Sequence, residues 1–299
     1  MLTGIHFLLT YACNFECDHC FLYCSPVARG TFTIDQVSAT LDEAEKTGTV
    51  DTVFFEGGEP LLFYSLLKES IARASARGFN TGMVTNAYAA TSVRDARLWL
   101  EPLRDAGLNT LSISNDAFHY GDNPENPAAT AAVAAKQLGI NVRTIHITPP
   151  ETTRGSTGEK DRGAPVVDGG PRFRGRAVDT LAKGLPTRPG TDFCQCPDED
   201  FIRPSRVHVD PFGHVHLCQG ISMGNMWQTP LSELIRDYQH EAHPLAGPIA
   251  RGGPAGLARE MGISADGGYV DACHLCYTVR KAVLDKFPDI LAPAQVYGM

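Results

Sequence analysis

Nowhere in its 299 residues does the chain hold an apolar run near the ~20 residues that cross a bilayer. Its opening, MLTGIHFLLTYACN, has no basic start and no small-residue cleavage site, so it does not read as a secretion signal. A cytoplasmic protein without a membrane partner is the expectation. Basic residues are outnumbered, 26 against 34 acidic, for a net charge of −8. That balance weighs against the phosphate-neutralising face of a nucleic-acid binder, though not against a local basic patch, and no nucleic-acid partner is expected. Internal repeats and low-complexity stretches are missing too. The most informative absence is of cysteine. There are nine, yet none lies between Cys24 and Cys194. One group is Cys13, Cys17, Cys20 and Cys24; the other is Cys194, Cys196, Cys218, Cys273 and Cys276. Reduced, clustered cysteines point to metal or catalysis. Their segregation suggests two metal sites in two structural units.

What is present in the first half is alternation. Strand-like runs at 4–9, 51–60, 80–87, 108–116 and 140–148 are separated by helix-like runs at 34–48, 66–78, 93–107 and 127–139. Thr33 or Asp35 can cap the first of these helices, Gly48 can stop it, and Pro102 is a flaw in the third. Short connections between alternating strands and helices imply parallel strands and right-handed crossovers. A partly closed β/α barrel fits, with functional residues at the strand C-termini. An open doubly wound sheet competes, because pattern alone does not show closure. Alternation stops at residue 149, and 149–175 reads as a long loop. A helix is expected over 175–184. RVHVDPFGHVHLC (206–218) reads as a β-hairpin, and Cys273-x2-Cys276 precedes a helix. The closing PAQVYGM folds back over the barrel mouth or frays.

Cys13-x3-Cys17-x2-Cys20 sits directly after the first strand. Three thiolates from one loop suit three corners of an iron–sulfur cube and leave a fourth iron open. Zinc is the competing reading, with Cys24 or His19 as the fourth ligand. Gly57-Gly58-Glu59-Pro60 ends the second strand. Its glycines permit close backbone approach to a ligand, or form only a turn before a helix with Pro near its start. In the second half, Cys218 closes the hairpin, Cys273 and Cys276 follow, and Cys194 or Cys196 lies upstream. Four such thiolates suit one 4Fe–4S cluster or a structural zinc.

The C-x3-C-x2-C loop and the GGEP strand end, about 40 residues apart with one helix between them, resemble the radical S-adenosylmethionine (radical SAM) superfamily. The resemblance covers roughly residues 4–148. It implies an α/β fold, a partial (β/α)6 TIM-like barrel over 1–190. The second cysteine set resembles the SPASM/twitch auxiliary-cluster region, implying a small β-hairpin-plus-helix domain over 191–299. Two 4Fe–4S clusters follow, one on Cys13, Cys17 and Cys20, the other on Cys196, Cys218, Cys273 and Cys276. Cys194 is the alternate ligand, less favoured than Cys196 on spacing. A SAM site would draw on His19, Phe21, Gly57, Gly58, Glu59, Pro60, Asn86, Ser114, Asp116 and Arg143, with Glu59 near the amino group. Turn-forming or solvated roles compete for Asn86, Ser114 and Arg143. Cys24 reads as a buried apolar cysteine. Arg280 would lie near the second cluster, and Gly175-Arg176-Ala177 recurs in SPASM-type enzymes.

The implied reaction is reductive cleavage of SAM to a 5′-deoxyadenosyl radical that takes hydrogen from a substrate, an oxidative modification of a small molecule or peptide aided by the auxiliary cluster. An electron donor such as flavodoxin or ferredoxin would be a partner. Because the chain begins almost at its first strand, a leader-binding domain is not expected, which weighs mildly against maturation of a ribosomally made peptide. A non-catalytic zinc or iron–sulfur scaffold or sensor is the reading from another class.

Overall fold

The structure is a computed structural model that describes residues 1–155 and 163–299. Strand β1 (Gly4–Thr10) leads through the cysteine loop to helix α1 (Ile34–Thr47). Thr33, not Asp35, caps α1: its hydroxyl accepts from the Gln36 N–H while Gln36 reaches back to the Thr33 N–H, and left-handed Gly48 ends the helix. There follow β2 (Thr52–Gly57), α2 (Tyr64–Ala76), β3 (Asn80–Thr85), α3 (Val93–Asp105), β4 (Leu108–Ser114), the single turn α4 (Ala117–Tyr120), α5 (Pro127–Gln137) and β5 (Asn141–Ile145). Helix α3 runs on through Pro102.

Beyond β5 the chain is not the featureless loop its Gly and Pro content implies. β6 (Glu151–Arg154) and β7 (Pro165–Asp168) pair antiparallel, because Thr152, Thr153, Val166 and Val167 are β-branched. The segment 156–162 of that expected loop lies outside the described residues. The helix expected over 175–184 shrinks to α6 (Arg176–Thr180). Next come β8 (Arg188–Pro189), β9 (Arg206–Val209), β10 (His214–Cys218) and β11 (Ile221–Asn225). Helices α7 (Leu231–Asp237) and α8 (Ala246–Met261), the short β12 (Gly268–Tyr269) and α9 (Ala272–Ala282) complete the order. The final residues do not fray. Val296 and Tyr297 are buried, and the Tyr297 hydroxyl donates to the Gly220 carbonyl at 2.6 Å.

The main sheet has the order β11-β10-β9-β1-β2-β3-β4-β5. Strands β1 to β5 lie side by side in chain order, the progression of a β/α barrel. The sixth parallel strand is β9, which pairs with β1. Thus the sheet continues from the first half into the hairpin carrying Cys218. β5 and β11 are the two ends of the sheet order, so the barrel is partial.

Alternation sorts the two faces. Ile5, Phe7, Leu9, Val53, Phe55, Val207 and Val209 pack in one core with Val37, Leu41, Leu67, Ile71, Leu100 and Leu103 of the helices. The intervening His6, Leu8, Phe54, Glu56 and His208 point to the inner face. A second core joins Leu8, Tyr11, Leu22 and Cys24 to Leu257, Leu275, Tyr277, Val279 and Tyr297. The cysteine loop is therefore packed against the C-terminal third of the chain.

Candidate active site

β1 ends by delivering the loop of Cys13, Cys17 and Cys20 to the C-terminal edge of the sheet. The three cysteines line one cleft, about 930 Å³ of empty space. Its walls include Phe15, His19, Phe21, Gly57, Gly58, Asn86, Ser114 and Ile145. Among the predicted cofactor residues, His19, Phe21, Gly57, Gly58, Asn86 and Ser114 are thus brought together. Glu59, Pro60, Asp116 and Arg143 do not line the cleft.

The reasons differ. Glu59 is fully buried behind it. Its carboxylate accepts from the Leu61 N–H at 2.9 Å, the Thr85 hydroxyl at 2.8 Å and the Asn86 N–H at 2.8 Å. Burial pushes its acid up to about 7 against those donors. Asp116 caps α4, accepting from Phe118 N–H at 3.1 Å and meeting His119 Nδ1 at 2.7 Å. Arg143 is exposed on the edge strand β5. The glycines have a role the sequence did not display. A Cβ on Gly57 would strike the Thr10 carbonyl, and one on Gly58 the Ala12 carbonyl. The space that only glycine leaves is filled by the backbone of the cysteine loop itself. The Gly58 N–H donates to Thr10 O at 2.7 Å and the Glu59 N–H to Ala12 O at 2.9 Å, so the GGEP turn pins that loop.

Other contacts orient the loop further. Asn86 donates to Asn14 Oδ1 at 2.9 Å. Arg176 donates to the carbonyls of Cys17 at 2.9 Å and Cys24 at 2.8 Å. Cys24 is buried, as its apolar reading expects. Burial raises the Cys13 thiol to about 11 and Cys17 to about 12. A hydrogen bond with Cys24 brings Cys20 down to about 6. Three sulfurs of one loop lining one cleft are a donor set that suits an iron–sulfur centre, which would hold them as thiolates. A cluster here would supply one-electron reduction, and the loop would hold it through Cys13, Cys17 and Cys20.

A second cavity, about 360 Å³ of empty space, is lined by Cys196, Cys218, Cys273 and Cys276 together with Arg174, Asp198, Glu199 and Arg280. Four thiols from three separate segments meet there. Cys194 is exposed and donates to the Thr191 carbonyl at 3.2 Å, away from that cavity. Burial raises Cys276 to about 11, and four sulfurs lining one cavity are again a donor set that suits a cationic centre. Arg280 donates to the Gln219 carbonyl at 2.8 Å.

Sequence reasoning missed two features. Arg174, inside the expected loop, places Nη1 2.9 Å from Cys218 Sγ. On the inner face, His6 and His208 flank Glu56, at 3.3 and 2.9 Å from its Oε1. Burial pushes the Glu56 acid up, but the two imidazoles outweigh it and hold the carboxyl below its usual range. Burial lowers His208 in turn, against the hydrogen bond and charge of Glu56. The signal was available: His6 and His208 occupy inward positions of alternating strands.

Comparison with known proteins accords with this geometry. Residues 7–154 match the family model described as the radical SAM superfamily. A protein of Bacillus subtilis (strain 168), named as a candidate peptide biosynthesis protein, YydG, is 25% identical over 107 residues, 36% of this chain and 34% of that one. The S-adenosylmethionine-dependent nucleotide dehydratase of Selenomonas ruminantium is 27% identical over 132 residues, 44% of each chain. The matches therefore span well under two thirds of these relatives' own lengths. The crystal structure of BtrN in complex with AdoMet and 2-DOIA superposes with a TM-score of 0.52 at 11% identity, covering 90% of this chain and 98% of that one. Among the described residues, no helix is long and apolar enough to cross a membrane.

Proposed function

Through residues 7–154 the chain belongs to the radical SAM superfamily, and on that premise we propose that it is an oxidative radical SAM enzyme with a second, auxiliary 4Fe–4S cluster. Members of the superfamily bind SAM and a 4Fe–4S cluster. In this reading Cys13, Cys17 and Cys20 hold the first cluster, and the cleft beside it takes SAM against Gly57, Gly58, Asn86 and Ser114. Glu59 serves the site indirectly, by bracing the ends of β2 and β3. Cys196, Cys218, Cys273 and Cys276 hold the second cluster. When bound, the first cluster and SAM supply the hydrogen-abstracting radical, and the second supplies an electron acceptor.

The observation that carries the reading is the convergence of each predicted cysteine set on its own cavity. Glu56 at the cleft wall, with its two imidazoles, supports a substrate bearing a hydroxyl or amine. A small polar molecule is the first reading; the partial match to YydG favours peptide modification as the second. The proposed organisation keeps a core over 1–190 and an auxiliary region over 191–299, joined through the pairing of β1 with β9.

Anaerobic reconstitution tests it. About eight irons per chain are expected, with 5′-deoxyadenosine released from SAM under reduction. Bound zinc without SAM cleavage would instead mark a scaffold or sensor and end the enzymatic reading.

A further inference from the structure

Three residues, Arg174, Gly175 and Arg176, join the two cysteine sites. A Cβ on Gly175, which has φ 62°, would overlap the backbone of Cys20 and Phe21. The Arg176 N–H donates to Cys20 O at 3.0 Å, in addition to its guanidinium bonds to the same loop. On the other side of the glycine the chain enters the second cavity. There the Arg174 guanidinium lies 5.2 Å from the centre of the Phe21 ring and donates from Nη1 to Cys218 Sγ at 2.9 Å. Arg174 Nε is buried with no hydrogen-bond partner among the described residues. The other arginine of this cavity, Arg280, differs. Its Nε donates to the Cys276 carbonyl and its Nη1 to the Gln219 carbonyl and the Tyr297 hydroxyl. Arg174 is thus the guanidinium directed at a cysteine sulfur rather than at backbone.

We propose that Arg174 is a positioning residue of the second site, which raises the reduction potential of a cluster held by Cys196, Cys218, Cys273 and Cys276. This rests on the reading that the second site binds such a cluster. The physical reason is charge. A thiolate-ligated cluster gains negative charge on reduction, and a fixed cation with an N–H directed at a ligand sulfur favours the reduced form. Phe21 and the Gly175–Arg176 anchor fix the guanidinium, so its location is set by the loop of the first site. Local order in one site therefore tunes electron acceptance in the other.

The test is an EPR-monitored redox titration of the reconstituted full chain, with iron counted in each sample. R174M and R174Q should retain about eight irons per chain. Their second-cluster potential should be more negative than that of the wild type, and their first-cluster potential unchanged. R236M removes one charge at an exposed residue paired with its neighbour Asp237, and should shift neither cluster. If R174M fails to load the second cluster, R174Q decides. An unchanged potential in R174Q overturns the role of Arg174, as does an equal shift in R236M. Wild-type protein with only about four irons overturns the two-cluster reading and this inference together. Eight irons with no shift overturns the inference alone.

Discussion

The two cysteine sites are built in opposite ways. The first is local: three thiols within eight residues, on one loop, beside a wide cleft. The second is assembled from distant segments: Cys196, Cys218 and the Cys273–Cys276 pair meet around a small cavity. A local site needs its loop held in shape, and the GGEP turn, Asn86 and Arg176 do that. A distributed site needs the fold itself, since its ligands meet only after β9, β10 and α9 are placed. Three thiols beside open space suit binding of a further ligand; four thiols around a small cavity suit a closed centre.

The largest expected effect separates the two sites by chemistry. C17A should abolish 5′-deoxyadenosine formation, whereas C276A should retain it and lose about four irons, as read by iron assay and chromatography. Loss of SAM cleavage in C276A would break the division of labour. Next in size is G58A. Its methyl would collide with the Ala12 carbonyl, so destabilisation of about 3 kcal/mol is expected in urea unfolding. Iron should be lost from the first site before the second.

Glu59 offers a pH test of the bracing behind the first site. Burial raises its acid from the ordinary 4.5 to about 7. The folded protein therefore holds this proton more tightly than the unfolded chain. The resulting stability is complete below pH 4.5 and is lost as pH rises through about 7. The urea midpoint should fall across that window in the wild type and fall less in E59Q. The smallest effects are controls. C194S should leave iron content unchanged, because Cys194 does not line the second cavity. T33A should cost about 1 kcal/mol through loss of the α1 cap, with no change in either site.

Much of the first half was legible in the sequence. The alternation of apolar runs with amphipathic ones placed β1 to β5 and their helices to within a few residues. Gly48 and a cap at Thr33 or Asp35 bounded α1, because capping is a short-range matter. The local cysteine site was legible for the same reason. Three things were not. The pairing of β9 with β1 links residues about 200 apart, and no local pattern records it. The β6–β7 hairpin was hidden by flanking Gly and Pro, which outweighed its Thr and Val pairs. The glycines of GGEP read as room for a ligand or as a plain turn, and neither reading names the Thr10 and Ala12 backbone that a Cβ there would strike. Arg174 was invisible because a side chain's target depends on the path of the backbone around it, here the left-handed turn at Gly175.

The seam between β1 and β9 also bears on how the chain matures. Thr3 and Gly4 donate to the Ser205 carbonyl at 2.8 and 3.1 Å, so β1 acquires one of its two neighbours from far downstream. During synthesis, β1 remains a bare edge until residues 206–209 have emerged. The strand that launches the Cys13–Cys20 loop is thus made well before it is enclosed. A ribosome-bound fragment ending before β9 would leave β1 unpaired while it already carries the three thiols of the Cys13–Cys20 loop. The interval between those two events is when the nascent chain is most open to aggregation and to capture of the wrong metal.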